Sequence, residues 1–283
     1  MKVLFATSEA APFAASGRLA DVSSALSCAM RKRLIGCRVA LPLYEDVPDK
    51  LRENLKFVVS LSVPVAWRRQ YCGVYKTNHN GVIYYLLDNQ YYFKRCGLYG
   101  HYDDSERFAF FSRAVLEMIE HIDFWPDILH SNDWQSALVP VYYNLFYRRR
   151  QGYENIKNVY TIHNIHHQGK FGLEILEDVF GIPRQSAALV EHDGCINLMK
   201  AGIEAADCVT TIGPTYLKEI CEPWQTHGPY DILKDHKRKL HEILSSIDDE
   251  SCNPESDTHS WGRCANEYIR LYRGLLKNAE NDK

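Results

Sequence analysis

The sequence has 283 residues, of which 46% are hydrophobic and 12% aromatic, and its formal net charge at pH 7 is −3. This composition is typical of a globular protein with a packed core, and it excludes an intrinsically disordered chain. The charge provides no general attraction for nucleic acid or for an anionic membrane, and no apolar stretch reaches the length of a membrane span. Because the N-terminus leads directly into a predicted strand and not into a secretory signal, we expect a cytoplasmic location.

The first predicted elements are a strand, a loop and a helix. Lys2–Ser8 contains a continuous apolar run typical of a strand buried on both faces, and Leu19–Leu34 has apolar residues at helical spacing. The helix would direct free backbone N–H groups and the positive end of its dipole towards the loop, which favours binding of a phosphate or another anion. Many parallel α/β domains share this opening without binding a ligand, so the pattern alone leaves both possibilities open.

The alternation of strands and helices continues and predicts an α/β fold with a single doubly wound, Rossmann-like parallel sheet. The β-rich runs in Phe57–Lys76 and Val82–Leu87 predict an antiparallel excursion attached to this sheet. The other predicted strands are Arg38–Leu41, Asp127–His130, Asn158–Ile162 and Cys208–Ile212, and the other predicted helices are Ser105–Ile119, Trp134–Tyr147 and Asn197–Ala206.

Ligands of such sheets bind at the carboxyl ends of the strands. The residues that follow the predicted strands should therefore converge on one rim. These segments are Ser8–Arg18, His130–Gln135, His163–Gly169 and Gly213–Tyr216.

Metal and disulfide chemistry are not favoured. The nine cysteines include no pair at CxxC spacing, and their odd number is typical of reduced thiols. His163, His166 and His167 lie close in sequence, but adjacent side chains of an extended segment point to opposite sides and no acidic or thiol cluster completes a metal site. We therefore predict no metal and no cofactor.

Several segments, in family order, resemble bacterial glycogen synthases and plant starch synthases. They are SEAAPFAASGRLADV, YYFKRCGLYGHYDDSERFAFFSRAVLEMI, LHSNDWQSALVPVYY, VYTIHNIHHQGKFG and NLMKAGIEAADCVTTIGPTYLKEI. The resemblance implies the N-terminal half of a two-Rossmann (GT-B) glycosyltransferase, which transfers glucose from ADP-glucose to an α-1,4-glucan. It implies no resident cofactor.

The resemblance also implies roles for individual residues. Asp133 matches a family position in the acceptor and donor cleft, and His163 matches a histidine near the transferred glucose; these two are the candidate catalytic residues. The candidate glucan-binding residues are Tyr99, Asp133, Trp134, His163, Asn164 and Gln168. A structural role is open for each of them, because buried aromatic and histidine side chains commonly serve packing and hydrogen bonding.

The loop that contacts the sugar-nucleotide diphosphate in this family departs from the family pattern. It corresponds to Ala15, Ser16, Gly17 and Arg18, with the family lysine replaced by Ala15 and the second glycine by Arg18. The replacement removes a cation where the substrate carries negative charge, and Arg18 lies three positions further along. We expect at most weak binding of ADP-glucose by this degenerate loop.

The resemblance divides the chain into a Rossmann domain, 1–247, a bridge, 248–259, and a final helix, 260–283, that packs back on the Rossmann domain. KLHEILSSIDDESCNPESD resembles the family's bridge into its second domain, and HSWGRCANEYIRLYRGLL resembles its last helix. The second Rossmann domain, which carries most of the family's charged donor-site residues, has no counterpart between them. Removing one such contact raises a barrier by about 3 kcal/mol, so we expect the chain alone to be inactive.

Three functions remain open from the sequence. The first is a non-catalytic protein that binds α-1,4-glucan or maltooligosaccharide, or that assists a full synthase. The second is one part of an ADP-glucose-dependent glucosyltransferase that a separate domain completes. The third is a homodimeric or regulatory protein-interaction module that uses the former interdomain face.

Overall fold

The computed structural model describes residues 1–212, 230–243 and 258–281. Twelve strands are formed in these residues: β1 Lys2–Ala6, β2 Gly36–Pro42, β3 Lys56–Val65, β4 Arg68–His79, β5 Val82–Asp88, β6 Ile128–Asn132, β7 Lys157–Ile162, β8 Lys170–Phe171, β9 Glu191–His192, β10 Cys195–Asn197, β11 Cys208–Ile212 and β12 Leu240–Ile243. The α-helices of the same residues are α1 Arg18–Lys32, α2 Asp49–Arg52, α3 Gln90–Phe93, α4 Asp104–Met118, α5 Asp133–Ser136, α6 Leu138–Tyr142, α7 Leu198–Ala205, α8 Tyr230–Asp235 and α9 Thr258–Asn281.

Nine strands form one sheet in the order β12-β11-β7-β6-β1-β2-β5-β4-β3. The strands from β12 to β5 are parallel, whereas β4 pairs antiparallel with both β5 and β3. The chain leaves β1 in one direction towards β2 and later returns to β6 on the other side of β1. This reversal creates a topological switch point beside β1, where ligands of doubly wound sheets bind. The predicted fold class, including the antiparallel excursion, is confirmed.

The sheet core begins with the strand predicted at the N-terminus. Val3, Leu4, Phe5 and Ala6 are at most 1% exposed. β1 pairs with β2 and β6, so Val3 lies beside Cys37 on one side and Ile128 on the other. A strand with parallel neighbours on both sides and helices on both faces has no solvent face, which explains its continuous apolar run.

The predicted helix Trp134–Tyr147 is divided in the structure into α5, α6 and a π-helical turn, Tyr143–Tyr147. Pro140 explains the interruption between α5 and α6. Its nitrogen cannot donate to the carbonyl of Ser136, and its ring crowds that carbonyl. The sequence prediction missed β12 and the small sheet β8-β10-β9, because strands of two to four residues are too short to show an alternating pattern.

The final helix, α9, packs against α1 and β12. Tyr268 and Tyr272 lie on its buried side, at 5% and 0% exposure. They meet His130, which is 0% exposed in β6, and Nδ1 of its ring lies 2.6 Å from the Tyr272 hydroxyl. The placement of His130 on the rim was therefore wrong: β6 continues to Asn132, so His130 belongs to the interior beneath α9.

Among the described residues, no helix combines the length and the apolar character that crossing a membrane requires.

Candidate functional site

A cavity of about 520 Å³ opens at the carboxyl ends of β1, β6 and β7. Its described lining residues come from three of the four predicted rim segments, from the first turn of α1, and from the start of α4 and the loop before it. They are Glu9, Ser16, Gly17, Arg18, Leu19, Tyr99, Gly100, Asp104, Asp133, Trp134, Gln135, His163, Asn164 and His167. We call this cavity the cleft. The fourth predicted segment, Gly213–Tyr216, lies outside the described residues.

The Glu9 carboxylate accepts hydrogen bonds from backbone amides of the loop at which the sequence suggested that an external anion could bind. Its Oε2 accepts hydrogen bonds from the N–H of Ser16 at 2.5 Å and of Gly17 at 3.1 Å, and its Oε1 accepts one from the Ser16 hydroxyl at 2.8 Å. A carboxylate is a good partner for the N-terminal end of α1, because it satisfies N–H groups that have no partner within the helix. The carboxylate of this chain therefore fills the position at which a phosphate would bind these two amides.

The four residues of the degenerate loop differ in their position relative to the cleft. Ala15 is exposed and does not line the cleft, whereas Ser16, Gly17 and Arg18 do. Arg18 is the one arginine or lysine among the described lining residues. Its charge acts on His163, where it helps to lower the pKa. Arg18 thus brings positive charge into the cleft from a different position than the family lysine.

Tyr99 is anchored beside Glu9. Its hydroxyl lies 2.7 Å from Oγ of Ser8 and 2.7 Å from Oε1 of Glu9, and it donates its single proton to the Glu9 carboxylate. Burial raises the pKa of Tyr99 well above its ordinary value, so the phenol stays protonated and remains a donor. The ring packs on Phe108 at a centroid distance of 5.9 Å. Tyr99 therefore joins the loop before α4 to the end of β1.

Asp133 organises the segment after β7. Its Oδ1 accepts hydrogen bonds from the backbone N–H of His163 at 2.7 Å and of Asn164 at 3.4 Å. Asp133 itself adopts a left-handed backbone conformation with φ of 53°, which is uncommon for a residue other than glycine. Burial raises the pKa of Asp133 to about 7, against the opposing effect of the two N–H donors, and the nearby charge of Glu9 adds to the rise. A carboxyl group with this pKa can hold or release a proton near neutral pH.

His163 is neutral and has a defined tautomer. Burial, followed by the charge of Arg18, lowers the pKa of His163 to about 3. Its Nε2 lies 2.9 Å from Oδ1 of Asn132, whose amide nitrogen donates to the carbonyls of Ala6 and His130. Because that amide orientation leaves Oδ1 as an acceptor, Nε2 of His163 must carry the proton. Nδ1 is then an unprotonated acceptor, and it has no hydrogen-bond partner among the described residues.

Trp134 lines the cleft, and Gly169 packs closely against its ring. The Trp134 ring packs against Phe108 at 5.1 Å and Phe171 at 6.0 Å between centroids. Gly169 has φ of 64°, and a Cβ at this residue would lie 2.7 Å from Cε3 of the Trp134 ring. The glycine is therefore required both by the backbone conformation and by the close approach of the indole. A second cavity, of about 510 Å³, adjoins the cleft and shares Asp104, Trp134 and His167 with it. Its other described lining residues are His101, His166, Gln168, Gly169, Lys170 and Phe171.

Asn164 and Gln168 differ in what they offer to a ligand. Asn164 lines the cleft, and its Oδ1 accepts the N–H of His166 at 2.9 Å. Gln168 is only 7% exposed; its amide donates to the carbonyl of Ile165 at 3.2 Å and accepts from Asn197 at 2.9 Å. The amide of Gln168 therefore fixes the loop after β7, while its glucan-binding role stays a prediction.

The described residues contain no group of three or more His, Cys, Asp or Glu side chains arranged to hold a metal ion. His166 and His167 are both exposed and both line the second cavity, although the sequence predicted that they would point to opposite sides.

Sequence reasoning did not single out two important residues, Glu9 and Asn132. Both follow or end central strands, so rim position was a usable signal for each. Their partners were not predictable, because Ser16 meets Glu9 only when the loop closes and Asn132 meets His163 only when β6 and β7 pair. The cleft as a whole combines hydroxyl, amide and aromatic groups with one guanidinium group, a set suited to a polyhydroxylated ligand.

Comparison with known proteins agrees with this architecture. The sequence model of a family described as the starch synthase catalytic domain matches residues 2–235. The glycogen synthase of Alkaliphilus metalliredigens is 42% identical over 272 residues, which are 95% of this chain and 57% of that protein. The glycogen synthase of Geobacillus thermodenitrificans is 47% identical over 259 residues, which are 91% of this chain and 53% of that protein.

A solved structure is also similar. The catalytic domain of starch synthase IV from Arabidopsis thaliana, bound to ADP and acarbose, superposes with a TM-score of 0.80 at 26% sequence identity, over 89% of this chain and 53% of that one. This chain thus spans about half the length of the curated relatives that it matches. The match of the family model over most of the chain confirms the resemblance in the sequence: the chain belongs to the glycogen and starch synthase family.

Proposed function

We propose that this chain binds α-1,4-glucan in the cleft through Tyr99, Asp133, Trp134 and His163, and that it performs no glucosyl transfer by itself. The single observation that carries the proposal is the convergence of these four side chains on one cleft, whose described lining contains a single guanidinium group, that of Arg18. A glucan needs hydroxyl, amide and aromatic partners, which the cleft offers. A nucleotide diphosphate needs concentrated positive charge, and one guanidinium group beside the carboxyl groups of Glu9, Asp104 and Asp133 does not supply it.

Transfer from a sugar nucleotide passes through a transition state in which negative charge develops on the departing diphosphate. Preorganised cations stabilise that charge. In the described cleft Arg18 provides one guanidinium group, and Ala15 stands where the family has a lysine. This balance supports binding without transfer for the chain by itself.

We further propose the domain organisation that the sequence suggested, with a Rossmann domain over 1–247, a bridge over 248–259 and a final helix over 260–283. The packing of α9 on α1 and β12 supports the last part of this division. Residues 244–257 lie outside the described residues.

The test is isothermal titration calorimetry of the chain with maltoheptaose. We expect saturable heat for the unchanged chain and a loss of roughly tenfold in affinity for Trp134→Ala, because carbohydrate rings stack on exposed aromatic faces. Trp134 also packs on Phe108 and Phe171, so circular dichroism must show that the variant is folded. His167→Ala changes an exposed residue of the cleft, so it provides a second measurement of the affinity for maltoheptaose with less effect on packing.

His121→Ala is the matched control, because His121 is exposed in the turn before β6 and does not line the cleft. Its affinity for maltoheptaose should equal that of the unchanged chain. Absence of saturable heat in all of the proteins would exclude the glucan-binding proposal and leave two alternatives: a glucosyltransferase that a separate domain completes, and a protein-interaction module.

A second candidate is one part of an ADP-glucose-dependent α-1,4-glucosyltransferase that another polypeptide segment completes. Two observations favour it: the chain covers 53–57% of its curated relatives, and Arg18 places positive charge in the cleft. Incorporation of labelled glucose from ADP-glucose into maltoheptaose tests it. Activity that appears only after addition of the remaining part of a related synthase would support this candidate, and activity of the chain by itself would contradict the first proposal.

A further inference from the structure

A third cavity, of about 400 Å³, lies at the antiparallel end of the sheet. None of its lining residues lines the cleft. They come from α2 and the residues after it, from β3, β4 and β5, and from the loop that follows β1: Phe13, Leu51, Asn54, Lys56, Lys76, Thr77, Asn78, His79 and Ile83. Among these described residues, two are lysines and none is acidic. We call this cavity the lysine pocket.

Lys56 and Lys76 lie directly opposite each other in the β3–β4 ladder. Directly paired residues of antiparallel strands project from the same face, with Cβ atoms about 5 Å apart, and like charges in this arrangement destabilise the pair. In the described part of the chain, neither ammonium group has a carboxylate within ion-pair distance. Eleven ion pairs between a carboxylate and a lysine, an arginine, a histidine or the N-terminal amine occur elsewhere in these residues. A bound anion would relieve this repulsion.

Neutral hydrogen-bonding groups surround the two charges. Oδ1 of Asn78 accepts the backbone N–H of Gly81 at 3.1 Å, so its amide nitrogen is the group left to donate to a ligand. Thr77 adds a hydroxyl group to the lining. Donors of this kind complement the oxygens of a phosphate group.

Of the other described lining residues, Asn54 and His79 are polar, and Phe13, Leu51 and Ile83 are apolar. Phe13 is 2% exposed and packs on Tyr84 at 4.8 Å and on His79 at 6.0 Å between centroids, on the sheet face opposite to the lysines. The half-buried side chains of Leu51 and Ile83 provide the accessible apolar surface. A pocket of several hundred cubic ångströms with an apolar wall is suited to a small organic molecule better than to a bare ion.

We propose that the lysine pocket binds a small phosphate monoester. The phosphate group lies between the ammonium groups of Lys56 and Lys76, and the carbon skeleton of the ester lies against Leu51 and Ile83. A phosphate monoester carries a charge of about −1.5 to −2 at pH 7, which matches two lysines. The inference is independent of the proposed glucan binding, since the two sites have no described lining residue in common.

The test is calorimetric titration at 150 mM salt with three probes: inorganic phosphate, glycerol 3-phosphate and adenosine 5′-monophosphate. We expect saturable binding of at least one ester, tighter than that of inorganic phosphate, and roughly tenfold weaker binding in Lys56→Gln and in Lys76→Gln. The two esters distinguish an aliphatic from an aromatic skeleton. Lys50→Gln is the control, because it removes an exposed positive charge of α2 that does not line the pocket.

Thermal unfolding provides a second readout. Without ligand, Lys76→Gln should melt at a higher temperature than the unchanged chain, because it removes the cross-strand repulsion. At the same ester concentration, the melting temperature of the unchanged chain should rise more than that of the variant. Three results would overturn the proposal: no saturable binding of either ester, inorganic phosphate binding as tightly as the esters, or an equal loss of affinity in Lys50→Gln.

Discussion

The hydroxyl of Tyr272 lies 2.6 Å from Nδ1 of His130, a residue 142 positions earlier in the chain. Nε2 of the same imidazole lies 2.5 Å from Oγ1 of Thr161. One histidine in a central strand therefore connects the final helix to the neighbouring strand. Burial lowers the pKa of His130 to about 3, so the ring is neutral and serves as one donor and one acceptor.

Replacing Tyr272 by Phe should destabilise the protein by about 1–3 kcal/mol, because a buried imidazole nitrogen would lose its hydrogen-bond partner. Urea unfolding followed by circular dichroism measures the change. Tyr102→Phe is the control, since Tyr102 is 90% exposed. Equal unfolding free energies for the two variants would show that the contact with His130 contributes nothing.

The unfolding free energy should decrease as the pH falls from about 6.5 to about 3. The pKa values of His130 and His163 are about 3 in the folded protein and 6.5 for the ordinary side chain. Between these values the unfolded chain binds protons that the folded chain does not, so each histidine lowers stability by up to about 1.4 kcal/mol per pH unit. Urea midpoints at several pH values test this. His163→Gln cannot ionise and should show a shallower decrease; parallel curves would contradict the assignment.

Asp133→Asn should become more stable relative to the unchanged chain as the pH rises from about 4 to about 7. The pKa of Asp133 is about 7 in the folded protein and 3.8 for the ordinary carboxyl. In this range the unfolded chain has lost a proton that the folded chain retains, so the contribution of Asp133 to stability decreases with rising pH. Asparagine keeps an Oδ1 acceptor for His163 and tolerates positive φ.

The measurement for Asp133 is the difference in unfolding free energy between variant and unchanged chain at pH 4 and pH 8. Asp193→Asn is the matched control, because Asp193 is exposed and also has positive φ, 51°. A difference at Asp133 that does not change with pH would refute the raised pKa.

Gly169→Ala should destabilise the protein more than Gly97→Ala. Both glycines have positive φ, 64° and 77°, so both substitutions introduce backbone strain of about 1 kcal/mol. Only at Gly169 would the new Cβ meet another group, the Trp134 ring at 2.7 Å, whereas nothing lies within 4 Å at Gly97. Melting temperature and tryptophan fluorescence measure stability and displacement of the indole. Equal effects at the two positions would mean that Trp134 moves aside without cost.

Glu9→Gln should increase affinity for ADP. The amide oxygen of glutamine can still accept from Ser16 and Gly17, while the negative charge beside the loop disappears. Calorimetric titration with ADP measures the change, and Asp46→Asn, which alters an exposed acidic residue outside the cleft, is the control. Unchanged affinity in Glu9→Gln would show that this carboxylate does not hinder the nucleotide.

The sequence by itself determined the fold class, the antiparallel excursion and the family. These features follow from local patterns: the apolar run of β1, the helical spacing of α1 and α4, and motifs that are continuous in the chain. The sequence also placed Asp133, Trp134 and His163 on one rim, because the carboxyl ends of parallel strands lie at the same edge.

Tertiary structure decided what each of these residues contacts. The sequence indicated that the loop before α1 could bind an anion, whereas in the structure the Glu9 carboxylate accepts the hydrogen bonds of two of its backbone N–H groups. His130 looked like a rim residue, yet α9 covers it, and Lys56 and Lys76 became neighbours only through the register of β3 and β4. Hydrogen bonds and charge pairs act over a few ångströms between residues distant in the chain, so they exist only once the strands have paired and the helices have packed.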